Sequence, residues 1–496
     1  MGILDGLIGG FSVAFSPTIL LYCLLGSMIG TATGVLPGIG PLAALSILMP
    51  VTLSLPPVAS LAMLCAIFYG AMYGGAITSI LLNIPGEAAS VVTAIDGHQL
   101  ARKGRAGPAL GMAALSSFIA GTAGIVALTF FAPALGAAAL SFGPPEFSTI
   151  ILLSFIAVTC MNEGSATKTM ITIALGIFLS TIGIDVVSGE ERLTFGSVAL
   201  SGGFSIVAVV VGMFGVAEIL EQIEGATGTR DRHSPIGKLW PGREDWKACW
   251  RSMVRGTGIG FVLGILPGAG PVSAAFVSYA VERRVSKHPE KFGSGAIEGV
   301  AAPESANNAA VAGAMIPMLS LGVPSNAVMA LLLGALIIQG IQPGPLLIVQ
   351  HPDVFWGVIA AMYIGNVMLL ILNMPLIGIW VQLLRVPYSL LFPGILIFGA
   401  IGAFSDNNNM FGVWVMIAFG VIAYVLRKLH YELGPFILAM VLSPLFEEAL
   451  RQSLIMSLDG PLIFVTRPIS ASLVAISVAL VLANFVRKIR KGGRQK

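Results

Sequence analysis

Charge is what this 496-residue chain has least of: Asp, Glu, Lys and Arg make up 10% of it, against 56% hydrophobic residues and a mean hydropathy of +0.91. That balance cannot clothe a water-soluble surface, which excludes soluble enzymes and nucleic-acid-binding modules and leaves almost no room for a soluble domain. Four cysteines (Cys23, Cys65, Cys160, Cys249) show no CxxC spacing, and three lie in apolar segments where Cys packs as a small hydrophobe. Five histidines stand apart from one another without an HExxH pattern, so no histidine-cysteine metal centre and no cofactor are expected. Neither a GxSxG nucleophile motif nor a paired catalytic Asp motif is present, which argues against an intramembrane enzyme. The N-terminus, MGILDGLIGGFSVAFSP, lacks a basic n-region and a small-x-small cleavage site and reads as retained.

What is abundant is apolar sequence punctuated by 60 glycines and 29 prolines. With roughly 20 apolar residues needed per spanning helix, the long runs predict an all-α polytopic membrane protein of about ten to twelve membrane helices and re-entrant or broken hairpin arms. The punctuation repeats. Gly-x3-Gly-x3-Gly-x-Leu-Pro-Gly-x-Gly-Pro occurs from Gly26 to Pro41 and again from Gly256 to Pro271, at a constant offset (267 − 37 = 230). GGAITSILLNIPGEAAS, from Gly74, aligns without gaps to GAMIPMLSLGVPSNAVM, from Gly313 (324 − 85 = 239). Paired Pro/Gly interruptions in corresponding positions of two halves point to a transporter binding site.

Basic residues then set the orientation, because loops rich in Lys and Arg stay on the cytoplasmic side. The second half carries Arg283, Arg284, Lys287 and Lys291 after its LPGxGP element, where the first half has none; the first carries Arg102, Lys103 and Arg105 after Pro85, where the second has none. The basic loop has changed sides of the motif, as two repeats of inverted topology require. The expected division is residues 1–223 as the first inverted repeat, 224–255 as a cytoplasmic connector, 256–469 as the second repeat, and 470–496 as a terminal helix with a basic cytoplasmic tail. Arg102, Lys103 and Arg105 read as a topology-setting loop that could also attract an anion.

Non-helical backbone survives in a bilayer only where it is buried in protein or lines a polar cavity. For Gly26, Gly30, Gly256 and Gly260 the reading is close helix approach. For Gly38, Gly40, Pro41, Gly268, Gly270 and Pro271 it is a broken helix, whose restarting amides favour an anion and whose ending carbonyls suit a sodium ion. The second element adds Asn83, Pro85, Gly86 and Glu87 in one half and Pro324, Ser325 and Asn326 in the other. Upstream, PESANNAA places Glu304, Ser305, Asn307 and Asn308 at the entrance of an apolar helix, as amide ligands or as an N-terminal cap. Of the ionisable residues in apolar surroundings, Glu87 is the site candidate. Glu146, Asp185 and Asp406 fit interfacial loops, and Glu163, Lys168 and Arg385 complete the set.

GTATGVLPGIGP, YGGAITSILLNIPGE, DGHQLARKGRAGPALG, GILPGAGP and APESANNAAVAGAMIPMLSLGVPS together resemble the large membrane subunit of the tripartite tricarboxylate transporters (TctA type), over nearly the whole chain. The resemblance implies a multi-pass bacterial inner-membrane carrier that works with a small membrane subunit and a periplasmic solute-binding protein to import citrate or other carboxylates, with sodium as the coupling ion. Coupling agrees with the physics: moving one charge across 100 mV is worth about 2.3 kcal/mol, so importing a citrate trianion against an inside-negative potential costs about 7 kcal/mol. Alternating access of elevator type is an analogy from other inverted-repeat carriers. An ion or anion channel is the alternative class, which saturation and counterflow would separate from a carrier.

Overall fold

The computed structural model describes residues 2–36, 39–52, 54–161, 164–185, 188–224, 236–384, 388–405, 408–458 and 460–492. Pro37, Gly38, Glu163, Arg385 and Asp406, singled out in the sequence, lie outside them. Among the described residues the chain is all-α, apart from one β-hairpin pairing Gly183–Ile184 with Glu191–Arg192. Its helices are α1 (Ile3–Ala14), α2 (Pro17–Val35), α3 (Gly40–Thr52), α4 (Pro57–Leu82), α5 (Val91–Leu100), α6 (Ala106–Ala139), α7 (Pro144–Met161), α8 (Ala166–Ser180) and α9 (Ile206–Glu224). There follow α10 (Arg243–Ile265), α11 (Gly270–Val285), α12 (Glu298–Leu321), α13 (Ala327–Ile338), α14 (Pro352–Asn373), α15 (Tyr388–Ser405), α16 (Met410–Lys428), α17 (Gly434–Met456) and α18 (Pro468–Gly492), with short helical turns between some of them.

Among the described residues eight helical segments are long and apolar enough to cross a bilayer, and five more are apolar but only 10–17 residues long. α10, α12 and α17 match the spanning helices in length while carrying more polar and charged residues. The terminal helix expected from Ser470 to Val486 is the outermost span, with 11% of its apolar window buried, and its other faces present Val481, Leu482 and Phe485 outward. In lipid that exposure carries no penalty.

α4 and α12 are the opposite case. Every residue of α4's apolar window is buried, and α12 is buried from Gly299 to Leu321. Small residues make this possible by letting backbones approach closely. A Cβ on Gly26, Gly30 or Gly34 of α2 would lie 2.4, 2.3 and 2.3 Å from the carbonyl oxygens of Met63, Ile67 and Ala71 of α4. A Cβ on Gly256, Gly260 or Gly264 of α10 would lie 2.5, 2.1 and 2.2 Å from those of Ala302, Ala306 and Ala310 of α12. The partners share one offset (302 − 63 = 239), so the two glycine stripes perform the same packing twice. They differ in offset from the glycines themselves because the connection before α12 is longer by nine residues (239 − 230 = 9), the stretch that holds the basic loop.

The second numbered helix after each break crosses to the other half's buried helix: α6 packs along α12, and α14 along α4. The largest hydrophobic cluster therefore draws on both halves. Asn366 of α14 pins the crossing, accepting from the Tyr73 hydroxyl of α4 (2.8 Å) and donating to the Phe118 carbonyl and Thr122 hydroxyl of α6 (3.0 Å each).

The basic connections of the two halves meet. Lys103 Nζ donates to the Ser294 carbonyl (2.6 Å), and Arg105 pairs with Asp245 (2.6 Å) in the first turn of α10. Helix α10 begins at Arg243, so the later part of the segment read as a connector is helical, while its residues 225–235 lie outside the described ones. Glu146, expected in an interfacial loop, sits instead in the first turn of α7, nearly fully buried; it accepts from the Gly143 amide (2.8 Å) and pairs with Arg467 (2.6 Å). A helix N-terminus favours a carboxylate there, and the arginine offsets the desolvation. Asp185 lies at the β-hairpin and pairs with Arg451 (2.7 Å), and Lys168 donates to the Leu429 carbonyl (2.7 Å).

Candidate functional site

Each buried helix ends in a break of the same construction. α4 closes on Asn83 and α12 on Gly322, both left-handed (φ 57° and 69°), and both are followed by an X-Pro pair that cannot continue the helix. Two residues past each proline stands a polar cap. Glu87 caps the short turn Ala88–Ser90 in a reciprocal pairing with Ser90, and Asn326 Oδ1 accepts from the Met329 amide (3.0 Å) at the start of α13. Capping uses one side of each group. Among the described residues Glu87 Oε1 is buried without a hydrogen-bond partner, and the Asn326 amide nitrogen has a long 3.5 Å contact to Ser325 Oγ.

The LPGxG element of the second half lies against its break. In the second half the Gly268 amide donates to the Ser325 carbonyl (2.8 Å), and a Cβ on Gly270 would come within 3.8 Å of Asn326 Cβ. Gly40 and Gly270, at matching positions before Pro41 and Pro271, share φ of 57° and 58° and open α3 and α11. In the first half the second element meets α2 directly: a Cβ on Gly86 would lie 1.8 Å from the Gly34 carbonyl and 2.9 Å from Gly75 Cα. Ser325 and Pro324 are buried, Pro85 and Asn326 half-buried, and Asn83 exposed. Gly268, Gly270, Pro271, Pro324, Ser325 and Asn326 are thus assembled in one half, and Asn83, Pro85, Gly86 and Glu87 form the break of the other.

Asn307 and Asn308 are placed differently from expectation. Helix α12 starts at Glu298, with its approach fixed by the loop before it, so the asparagine pair falls in the third turn and cannot act as an N-terminal cap. About 14 residues separate Asn308 from the break of its own helix, about 21 Å at 1.5 Å per residue. Both asparagines turn to Glu304 instead. The Asn307 amide donates to Glu304 Oε2 (3.4 Å), while that of Asn308 donates to the Glu304 carbonyl (3.2 Å) and to Asn307 Oδ1 (2.6 Å). Thr93 of α5 donates to Glu304 Oε1 (2.5 Å) and Ser117 of α6 to Oε2 (3.2 Å). The PESANN segment therefore belongs with the chain leaving the first half's break, across the boundary between halves. Glu304, fully buried, is an intramembrane carboxylate that the sequence offers only as part of the PESANN segment and not among the expected site residues; its position inside an apolar helix is the signal that marks it.

A second residue outside the expectations is Asp96 of α5, also fully buried. Its Oδ1 accepts from the amides of Gly293, Gly295 and Ala296 (2.8, 2.7 and 2.9 Å), and its Oδ2 from the Tyr279 hydroxyl (2.8 Å). One carboxylate of the first half thus fixes the loop that launches α12 in the second. A hydrogen bond to a charged group is worth roughly 1.5–3 kcal/mol, so Asp96→Ala is expected to free this loop. Limited trypsin digestion should then cut at Lys287 and Lys291 well before it cuts the unaltered chain, and equal resistance would show that the loop is held elsewhere.

These features define a class: a polytopic all-α membrane transport protein in which two interrupted helix pairs, built alike, sit inside a bundle shared by both halves. The model of the tripartite tricarboxylate transporter TctA family matches residues 20–438, and the chain belongs to that family. It is accordingly a transporter subunit and not an enzyme. It is 47% identical over 490 residues to an uncharacterised 52.8 kDa protein of the TAR-I ttuC' 3'region of Agrobacterium vitis, covering 99% of this chain and 98% of that one. A protein of the TAR-II ttuC' 3'region of the same organism, likewise uncharacterised, is 52% identical over 231 residues, which are 47% of this chain and 96% of that protein. No solved structure matches the chain.

Proposed function

We propose that this chain is the permease subunit of a binding-protein-dependent secondary transporter that imports citrate or a related carboxylate across a bacterial inner membrane, driven by sodium. The observation that carries the reading is the paired breaks, each a proline-interrupted helix with a polar residue capping the restart. A restarting helix offers amides to a carboxylate, and paired breaks in two halves are the form carriers give their binding sites. The reading puts the substrate carboxylates at Ser325 and Asn326 and at the Gly86 backbone, with the glycines of the LPGxG elements lending further amides. The basic connections that join Lys103 to Ser294 and Arg105 to Asp245 would face the cytoplasm, the two halves would run in opposite directions, and transport would move one bundle against the other. A small membrane subunit and a periplasmic solute-binding protein would complete the assembly, the latter delivering substrate to the outer end.

Uptake of radiolabelled citrate into proteoliposomes holding all three subunits, with and without an inward sodium gradient, tests this directly. Sodium-driven accumulation is the expected result; absence of uptake for a panel of carboxylates under sodium and proton gradients would refute it. Asn326→Ala leaves the helix cap and the free amide both missing. With a hydrogen bond to an anion worth roughly 1.5–3 kcal/mol, the substrate concentration for half-maximal flux should rise about tenfold or more. An unchanged value would return Asn326 to a purely structural role.

A further inference from the structure

Between α4, α6, α12 and α14 lies a cavity of about 10 Å³, room for one water molecule or one small ion. Its polar lining consists of Tyr73, Ser117, Glu304 and Asn373, and alanine, leucine and isoleucine side chains make up the rest. Two observations set it apart from an ordinary packing defect. Glu304 is fully buried, and its hydrogen-bond partners Thr93, Ser117 and Asn307 are all neutral, so among the described residues no cationic side chain meets its charge. Asn373 is buried too; its amide nitrogen donates to the Leu369 carbonyl (2.9 Å) and to Thr31 Oγ1 (3.4 Å), which leaves Oδ1 without a partner. A buried carboxylate and a buried orphan carbonyl facing one small space are two acceptors that cannot satisfy each other.

We propose that this cavity binds a sodium ion, with the Glu304 carboxylate and Asn373 Oδ1 as its principal ligands and the Ser117 and Tyr73 hydroxyl oxygens completing the shell. The Tyr73 proton is committed to Asn366, which leaves its oxygen lone pairs for a cation, and the Ser117 hydroxyl can turn to do the same. One carboxylate balances one positive charge. A divalent ion such as magnesium would need near-octahedral geometry and retained waters for which the space is too small. The other titratable groups on the packed elements are engaged elsewhere: Asp96 with the loop amides, and Glu282 with Arg255 at 2.6 Å. Glu87, on the turn beside α11, gives one side to its cap and keeps Oε1 without a partner among the described residues, but it does not line this cavity.

The site would put the ion inside the bundle, where helices from both halves meet, and not at the breaks where the substrate is proposed to lie. Its use in coupling rests on the carrier reading; its occupancy does not. The test is equilibrium binding of sodium-22 to the purified full-length chain, alongside Glu304→Gln, which preserves shape, and Asn373→Ala, each checked for monodisperse elution. Saturable binding by the unaltered chain, weakened more than tenfold in both variants, is expected. Wild-type affinity in Glu304→Gln, or no saturable binding by the unaltered chain, overturns the proposal; should Glu304→Gln fail to fold, wild-type affinity in Asn373→Ala does so alone. Carboxylate counterflow in proteoliposomes reports separately on the carrier reading, so a chain that binds sodium-22 through Glu304 yet moves no carboxylate would keep the site and lose the function.

Discussion

Gly260→Val is expected to remove the folded protein from the membrane altogether. The glycine lies where α10 meets the middle of α12, and an added Cβ would sit 2.1 Å from the Ala306 carbonyl oxygen and 2.6 Å from Ala306 Cα. These are backbone atoms of a buried helix, so no side chain can swing aside. Separating the helices enough to admit two further methyl groups would open contacts along the whole stripe, from Gly256 to Gly264. Overpacking of well-filled cores costs typically 1–3 kcal/mol where side chains can adjust, and here the obstacle is backbone, which places the change in the destabilising tail of point substitutions. Gly30→Val, which meets the Ile67 carbonyl at 2.3 Å, should behave the same way. Fluorescence-detected size-exclusion of tagged protein reads the outcome; a normal monodisperse peak for either variant would mean that the helix pair is looser than its geometry.

Gly268→Val should have the contrasting effect of abolishing uptake while the protein stays in the membrane. Its φ of +83° is one that L-residues avoid, at a cost of order 1–3 kcal/mol and more for a β-branched side chain. A Cβ there would also press on Val158 of α7 at 2.8 Å. The strain falls on a connection and not on a helix pair, so the bundle can survive while the hydrogen bond from the Gly268 amide to the Ser325 carbonyl is lost and the LPGxG element parts from the break after α12. Gly268→Ala, which adds less bulk at the same φ, should retain a small fraction of the rate. Normal uptake in both would sink the assignment of this element to the site.

How much of this is legible without coordinates depends on whether the information is local. The glycine stripes and the proline breaks are written as repeated words, and repetition at a fixed offset identifies them before any contact is known. Their conformations follow from residue type: Gly40, Gly268, Gly270 and Gly322 occupy left-handed backbone that few other residues tolerate. Asn83 takes the same role in the first half, one of the few non-glycine types that can. The Glu304 cluster is the reverse case. Thr93 and Ser117 stand 211 and 187 residues away, and neither hydroxyl differs in sequence from others in apolar helices. Adjacency in sequence also misleads for Asn307 and Asn308, which share a helix with the second break but turn to Glu304, the residue that meets the chain emerging from the first. Asp96 is hidden likewise, since three of its four partners are backbone amides 197 to 200 residues on, with no side-chain signature, and the fourth is the Tyr279 hydroxyl 183 residues away.

The crossing of α6 onto α12 also has a meaning in time. Ser117 is synthesised 187 residues before Glu304, and at 5–20 residues per second the ribosome needs roughly 10–40 s to bridge that gap. Throughout that interval α6 rests in the bilayer with its hydroxyl-bearing face turned to lipid or to whatever escorts it. The first half of this protein is thus born unfinished, and its polar core exists only once the second half arrives to enclose it.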